Sequence, residues 1–92
     1  MRVRYRLGAR LDIANIHRYL SERNPRAATN VIGRIRAAAD QLGRHPRMGR
    51  AGRTAGTYEW VVTGLPYIVV YDIDEIENEV AILAVFHGAQ DR

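Results

Sequence analysis

Four arginines at three-residue spacing are the side chains of this sequence that most clearly suit binding chemistry. Arg44, Arg47, Arg50 and Arg53 lie in residues 43–57, a glycine-rich segment with no hydrophobic periodicity. Guanidinium groups bind phosphates and carboxylates through paired hydrogen bonds. The cluster therefore suits a phosphate-bearing or acidic partner, and a solvated loop is the alternative interpretation.

The remaining polar residues do not form a familiar catalytic or metal-binding motif. His17, His45 and His87 have no spacing that places two of them on one helical face, and Cys is absent. Ser21 is the only serine, and it falls between two predicted helices. The glycines of residues 43–57 are not followed by the Gly-Lys-Ser/Thr of a nucleotide-binding loop. We therefore expect no metal, no cofactor and no catalytic residue.

Aromatic and acidic residues have simpler interpretations. Trp60, Tyr67 and Tyr71 alternate within predicted strands, which favours a place in the core over a stacking platform for bases. Residues 72–79 contain five carboxylates, and we expect these to be a solvated turn.

The charge is divided unevenly along the chain. All 14 cations are arginine, and 13 of them lie in residues 1–53 against three carboxylates, a net of +10. Residues 54–92 hold one arginine against seven carboxylates, a net of −6. This division predicts a basic face for an acidic partner.

Length and composition indicate one small globular domain over residues 1–92. The chain is 47% hydrophobic and 26% charged, as in average soluble proteins. No stretch approaches the roughly 18 apolar residues that a membrane span needs, and the N-terminus lacks the apolar block of a signal peptide. We expect a cytoplasmic protein with no membrane contact.

The hydrophobic pattern changes from strand to helix near the N-terminus. Apolar and Arg residues alternate over residues 2–7, which predicts a strand ended by Gly8. Helical spacing then runs from Ala9 to about Glu22. A second helix is predicted from Pro25 to about Leu42, preceded by an Asn cap and stopped at Gly43. Residues 43–57 are predicted to be a loop.

Three strands are predicted after this loop, over Tyr58–Thr63, Tyr67–Ile73 and Glu79–Phe86. The short links between them require antiparallel pairing. The chain is therefore predicted to be an α+β fold of order β-α-α-β-β-β, with a helical hairpin packed on one face of a small, largely antiparallel sheet. The pattern leaves the place of the first strand in that sheet open.

The predicted core joins the apolar stripes of both helices to the inner face of the sheet. The helical members are Ile13, Ile16, Leu20, Val31, Ile32, Ile35 and Leu42. The strand members are Val3, Tyr5, Leu7, Val69, Tyr71 and Leu83.

The order and spacing of several short motifs resemble the ParE/RelE superfamily of toxins from type II toxin–antitoxin systems. The resemblance covers nearly the whole chain. The first half contributes Ala9, Asp12-Ile13, Ile16, Tyr19-Leu20, Pro25, Ala27-Ala28, Ile32, Ile35, Leu42, Pro46 and Gly49-Arg50. The second half contributes the runs Gly56–Val62 and Tyr67–Tyr71, then Val80, Ile82-Leu83, Val85 and His87-Gly88-Ala89.

This resemblance implies a toxin neutralised by a cognate antitoxin, and the superfamily contains two activities. RelE-like members cut messenger RNA on the ribosome and are expected to have cations on the first two strands of the meander and beyond the last strand. This chain has Glu59, Val61, Ile68 and Ala89-Gln90 at those places. ParE-like members inhibit DNA gyrase, and the apolar central strand and the His-Gly-Ala ending resemble theirs. The ParE-like activity is therefore the prediction, and the RelE-like ribonuclease or a toxin that only binds its antitoxin are the alternatives.

The resemblance also suggests binding residues. An acidic, ParD-like antitoxin is expected to dock as an amphipathic helix or an added strand, with Arg18, Arg34 and Arg36 as candidate contacts. ParE-like chains usually have Arg at the positions of Tyr58 and Gln90, so target contacts here depart from the family pattern. The candidate target-binding residues are Arg44, Arg47, Arg50, Arg53, Tyr58, His87 and Gln90.

Overall fold

The structure is a computed structural model that describes residues 1–89, which form two helices and a five-stranded sheet. In chain order the elements are β1 (Arg2–Tyr5), α1 (Leu7–Ser21), α2 (Pro25–Arg44), β2 (Arg50–Ala51), β3 (Tyr58–Val61), β4 (Tyr67–Asp74) and β5 (Glu79–His87). The strand order is β1-β5-β4-β3-β2. β1 is parallel to β5, and every other pair is antiparallel. The predicted α+β fold is confirmed, with the first strand placed beside the last.

The boundary between β1 and α1 differs from the prediction. Arg6 stays extended and donates its backbone N–H to the carbonyl of Ile82 at 2.9 Å, and α1 then begins at Leu7. Gly8 lies inside the helix and does not end a strand. Leu7 is 69% exposed, so its predicted place in the core was wrong. The switch to helix turns its side chain away from the sheet face that Val3 and Tyr5 occupy.

Helix α2 begins where the sequence predicted and ends later. The side chain of Asn24 accepts a hydrogen bond from the N–H of Ala27 at 3.1 Å, and Pro25 occupies the first turn. Gly43 was predicted to stop the helix, but it is buried inside it. A Cβ at this position would lie 2.7 Å from the side chain of Val3, so the missing side chain lets β1 pack closely against α2.

Residues 43–57 were predicted to be a loop, but two of them form a short strand. Arg50 pairs with Glu59, and Ala51 pairs with Tyr58, which adds β2 to the edge of the sheet. Two residues are too few to produce a visible alternation of apolar and polar side chains. The three later strands occupy the predicted segments with ends shifted by one or two residues.

The core lies between the two helices and one face of the sheet. Ile13, Ile35 and Leu42 are buried against Val69 and Tyr71, as predicted. The remaining predicted members that are partly buried against this cluster are Val3, Tyr5, Ile16, Val31 and Ile32.

Two further predicted core residues lie elsewhere. Leu83 is only half-buried, because the pairing of β4 with β5 shifts by one residue between Val70 and Tyr71. This bulge sends Ile82 and Val85 to the core face and leaves Leu83 out of it. Leu20 is half-buried and lines a surface groove instead.

Candidate functional sites

The basic segment after α2 is held against the sheet by one buried tyrosine. The hydroxyl of Tyr71 donates to the carbonyl of Pro46 at 2.7 Å and accepts from the N–H of Gly49 at 3.0 Å. Tyr71 is fully buried, and burial raises the pKa of its hydroxyl. The Tyr58 ring stacks on it with centroids 5.5 Å apart. Tyr71 therefore fixes where the arginines of this segment lie.

Arg47 and Tyr58, two of the candidate target-binding residues, are in contact with each other. Its guanidinium donates to the Tyr58 hydroxyl at 3.3 Å and forms an ion pair with Glu75 from the turn between β4 and β5. Arg47 and Glu75 are exposed, and Tyr58 is half-buried. The pair presents an aromatic edge and a cation whose charge is already partly balanced by a carboxylate.

Arg50 and Arg53 gather around a buried carboxylate that the sequence analysis did not single out for this role. Glu59 is 8% exposed, and its Oε1 lies 3.8 Å from the Arg50 guanidinium. Its Oε2 accepts the backbone N–H of Arg53 at 3.2 Å. Arg44 belongs to the last turn of α2. The four arginines therefore do not form one unpaired cationic cluster.

His87 lies away from these residues. It pairs across the sheet with Tyr67, whereas Tyr58 pairs with Tyr71, four residues further along β4. At 3.3 Å per residue this separation is about 13 Å along the strand. The His87 ring packs edge-on against Tyr67, with centroids 5.5 Å apart. Gln90, the last candidate, lies outside the described residues.

The expectation of a fully solvated acidic turn was wrong for Glu79. This residue is 4% exposed, and its carboxylate lies 3.3 Å from the Arg2 guanidinium and 4.0 Å from that of Arg6. Strand pairing places Glu79 directly opposite Arg2. Asp72 and Asp74 are half-buried, whereas Glu75 and Glu77 are exposed. Asp74 accepts the backbone N–H of Glu77 at 3.0 Å.

The three candidate antitoxin contacts do not converge on one site. Arg18 lies on α1 beside Asn15, to which its guanidinium donates a hydrogen bond. Arg34 donates to the carbonyl of Thr63, in the turn between β3 and β4. Arg36 lies over the ring of Tyr5, 5.4 Å from its centroid. Residues two apart on a helix point in different directions, so Arg34 and Arg36 contact opposite sides of α2.

A surface groove of about 800 Å³ lies among the described residues. It runs between α1, α2, the β3–β4 turn and the end of β5. Its apolar walls consist of Ile16, Leu20, Val31, Leu65, Pro66, Val85 and Phe86. The remaining lining residues are Asp12, Asn15, Tyr19, Tyr67 and His87.

The polar groups of this groove are arranged around an apolar floor. Asp12 accepts the backbone N–H of Val85 at 2.9 Å, which ties α1 to β5. Tyr19 is 56% exposed at the rim, where the Arg23 guanidinium stacks 3.7 Å from its ring centroid. Burial raises the pKa of Tyr67 in the wall. An open, mainly apolar groove with polar groups at its edge suits an amphipathic helix or peptide.

Sequence analysis missed this groove because its residues have the spacing of a core. Ile16 and Leu20 belong to the apolar stripe of α1, and periodicity does not distinguish a buried stripe from one left partly uncovered. No group of three or more potential metal ligands occurs within residues 1–89. In the same part of the chain, neither helix is long and apolar enough to cross a membrane.

Comparison with solved structures identifies the fold class. The solved structure of the chromosomal ParDE TA system from P. aeruginosa superposes with a TM-score of 0.83 at 17% identity, covering 95% of each chain. The intact E. coli RelBE toxin–antitoxin complex gives 0.72 at 12% identity over 98% of each chain. The RelBE2 complex from Mycobacterium tuberculosis gives 0.64 at 29% identity over 94% of this chain and 95% of that one. Together with the topology described above, these similarities define a ParE/RelE-type fold.

The family follows from the sequence itself. The family described as the ParE toxin of the type II toxin–antitoxin system parDE matches residues 3–92. A search of curated protein sequences found no significant match. The chain belongs to the ParE toxin family, within the ParE/RelE superfamily of type II toxins.

Proposed function

We propose that this toxin inhibits DNA gyrase by binding to it and has no catalytic residue of its own. The observation behind this proposal is the lack of cations where a ribonuclease of this fold would need them. Neither β3 nor β4 contains Arg, Lys or His. Cleavage of a phosphodiester requires cations that stabilise the charge of its transition state.

The arginines nearest to β3 and β4 lie beside carboxylates, so their positive charge is already partly neutralised. Arg47 is paired with Glu75, and Arg50 lies beside the buried Glu59. Further along the same two strands, Val61 pairs with Ile68; Val61 is 47% exposed and Ile68 is half-buried. An apolar surface bordered by balanced charges suits contact with another protein better than phosphoryl transfer.

The proposed target surface therefore centres on Arg47 and Tyr58, which contact each other. The remaining target candidates are Arg44, Arg50, Arg53, His87 and Gln90. Because His87 lies about 13 Å along the sheet from Tyr58, a target that contacts both must cover much of the sheet.

We further propose that a cognate, acidic, ParD-like antitoxin neutralises the toxin in a cytoplasmic hetero-oligomer. The toxin–antitoxin complexes named for the similar E. coli and M. tuberculosis structures support a partner of this kind. The 800 Å³ groove supplies an apolar acceptor for an amphipathic segment. The candidate contacts for its acidic residues lie on α1 and α2 and are Arg18, Arg34 and Arg36.

Gyrase supercoiling tests the main proposal. The purified toxin is titrated into an ATP-dependent supercoiling assay, with and without antitoxin. We expect loss of supercoiling, or accumulation of cleaved DNA, that the antitoxin reverses. The same preparation is added to a translation extract. Cleavage of messenger RNA on ribosomes with gyrase unaffected would instead establish the ribonuclease, and no effect in either assay would indicate a toxin that only binds its antitoxin.

Two alanine variants on α1 test the groove. Tyr19 lies at its rim and is 56% exposed, while Leu11 lies outside it and is 54% exposed. Both substitutions remove an exposed side chain, so neither should disturb folding. We expect Tyr19→Ala to weaken antitoxin binding by about tenfold or more, as for an aromatic contact at an interface. Leu11→Ala is the control, and an equal loss in both variants would contradict docking in the groove.

A further inference from the structure

A second, smaller concave site lies apart from the groove. It is a cleft of about 500 Å³ between β1, α1 and α2. Its lining residues are Tyr5, Arg10, Ile13, Ala14, His17, Ile32 and Arg36. The floor is apolar, and every polar lining group is a hydrogen-bond donor or can become one. None of these residues lines the antitoxin groove.

The spacing along the helices explains why these donors face one cleft. Arg10, Ala14 and His17 lie three and four residues apart on α1, so they share a face. Ile32 and Arg36 have the same four-residue relation on α2. The short Ala14 leaves the space between the two helices open.

The cations of the cleft lack carboxylate partners. Within residues 1–89, no carboxylate oxygen lies within 4.0 Å of the Arg10 or Arg36 guanidinium. Arg36 instead packs over the ring of Tyr5. Burial raises the pKa of Tyr5, Arg36 opposes this shift, and Asp40 adds to it. By contrast, Arg2, Arg47 and Arg50 each face a carboxylate.

We propose that this cleft binds a phosphate group, either free phosphate or the phosphate of a nucleotide. Two guanidiniums, an imidazole and a phenol surround the space from three different elements. Such an arrangement can donate to several oxygens of a tetrahedral anion at once, whereas a carboxylate offers only two oxygens in one plane. A volume of about 500 Å³ also accommodates a nucleoside, whose base would lie on Ile13, Ala14 and Ile32.

Binding is measured by NMR on the isotope-labelled full-length protein at constant ionic strength. Inorganic phosphate, adenosine 5′-monophosphate, adenosine and acetate are titrated separately. We expect phosphate and the nucleotide to shift the resonances of Tyr5, His17 and Ile32 in a saturable manner. Adenosine and acetate should not. Tighter binding of the nucleotide than of phosphate would assign a nucleotide, and equal binding would assign free phosphate.

Matched arginine variants test whether the cleft is responsible. Arg10→Gln on α1 and Arg36→Gln on α2 should each weaken phosphate binding by about tenfold, the usual cost of a lost charged hydrogen bond. Arg18→Gln and Arg26→Gln remove the same charge from the same helices outside the cleft and should change affinity less than about twofold.

Three results would overturn the proposal. One is the absence of saturable shifts with phosphate and the nucleotide. Another is an equal loss in the control variants, which would indicate general attraction to a basic surface. The third is equally tight binding of acetate, which would assign the cleft to carboxylates. Since no arm uses gyrase or antitoxin, the result does not depend on the proposed function.

Discussion

At the scale of single residues, Tyr71 joins the core to the basic segment that follows α2. Replacing it with Phe keeps the buried ring and leaves the carbonyl of Pro46 and the N–H of Gly49 without their partner. We expect Tyr71→Phe to lower the free energy of unfolding by about 1–3 kcal/mol at pH 7, measured by urea denaturation. Tyr19→Phe removes an exposed hydroxyl and serves as the control, with no measurable loss expected.

Tyr71→Phe should also change how the free energy of unfolding depends on pH in alkaline solution. Burial raises the pKa of Tyr71 above its ordinary value of 10.0, so above that pH the unfolded chain loses a proton that the folded chain retains. Stability contributed by this hydroxyl is present below pH 10 and is lost as the pH rises through the folded-state pKa. The loss between pH 9 and pH 11 should therefore be smaller in Tyr71→Phe. An identical loss in both proteins would contradict this assignment.

Two glycines of α2 should respond oppositely to alanine. A Cβ on Gly33 would meet no atom within 4 Å, whereas one on Gly43 would lie 2.7 Å from the Val3 side chain and 2.8 Å from the Met1 carbonyl. We expect Gly33→Ala to raise the free energy of unfolding by about 0.5–1 kcal/mol, because glycine is a poor helix former. Gly43→Ala should lower it by about 1–3 kcal/mol through overpacking. Urea denaturation of the pair measures both, and a stabilising Gly43→Ala would contradict the close packing of β1.

At the scale of elements, the sequence predicted those with strong local signals. The apolar stripe of α2 and its Asn24-Pro25 start are local features, and the helix begins at the predicted residue. The end of β1 was mistaken because Leu7 continues the alternation of Val3 and Tyr5. The chain turns there because α1 packs against β5, a tertiary requirement that no local pattern records.

The Asn24 cap at the start of α2 should contribute measurably to stability. Asn24 accepts the N–H of Ala27, one of the donors that a helix terminus otherwise leaves unpaired. Asn24→Ala should lower the free energy of unfolding by about 1 kcal/mol. Asn30→Ala makes the same chemical change at an exposed position inside α2 and should be neutral or slightly stabilising, because alanine favours helix. Urea denaturation of the two variants distinguishes a cap from general sensitivity, and equal losses would contradict the cap.

At the scale of the whole molecule, the fold redistributes the charge that the sequence divides between its two halves. Glu79 and Glu75 from the acidic half contact Arg2 and Arg47 from the basic half. The basic half therefore does not form one continuous face. The excess positive charge lies in the helical hairpin, because residues 7–44 hold seven arginines and three carboxylates, a net of +4. The rest of the chain has seven arginines and seven carboxylates, so its net charge is zero. Sequence alone could show the asymmetry, but only the pairing of strands and turns shows which arginines remain unbalanced.

An acidic antitoxin should therefore approach the helical hairpin first, and this attraction should depend on salt. Arg18→Glu reverses an exposed charge on α1, while Arg4→Glu reverses an exposed charge on the edge strand β1. We expect Arg18→Glu to lower the association rate constant several-fold at low salt and Arg4→Glu to lower it less. The difference should shrink as added salt shortens the range of the interaction to about 8–10 Å. Stopped-flow association at two ionic strengths measures both effects. Equal rates for the two variants at low salt would show that the antitoxin is attracted by total charge alone, and that the hairpin does not guide it.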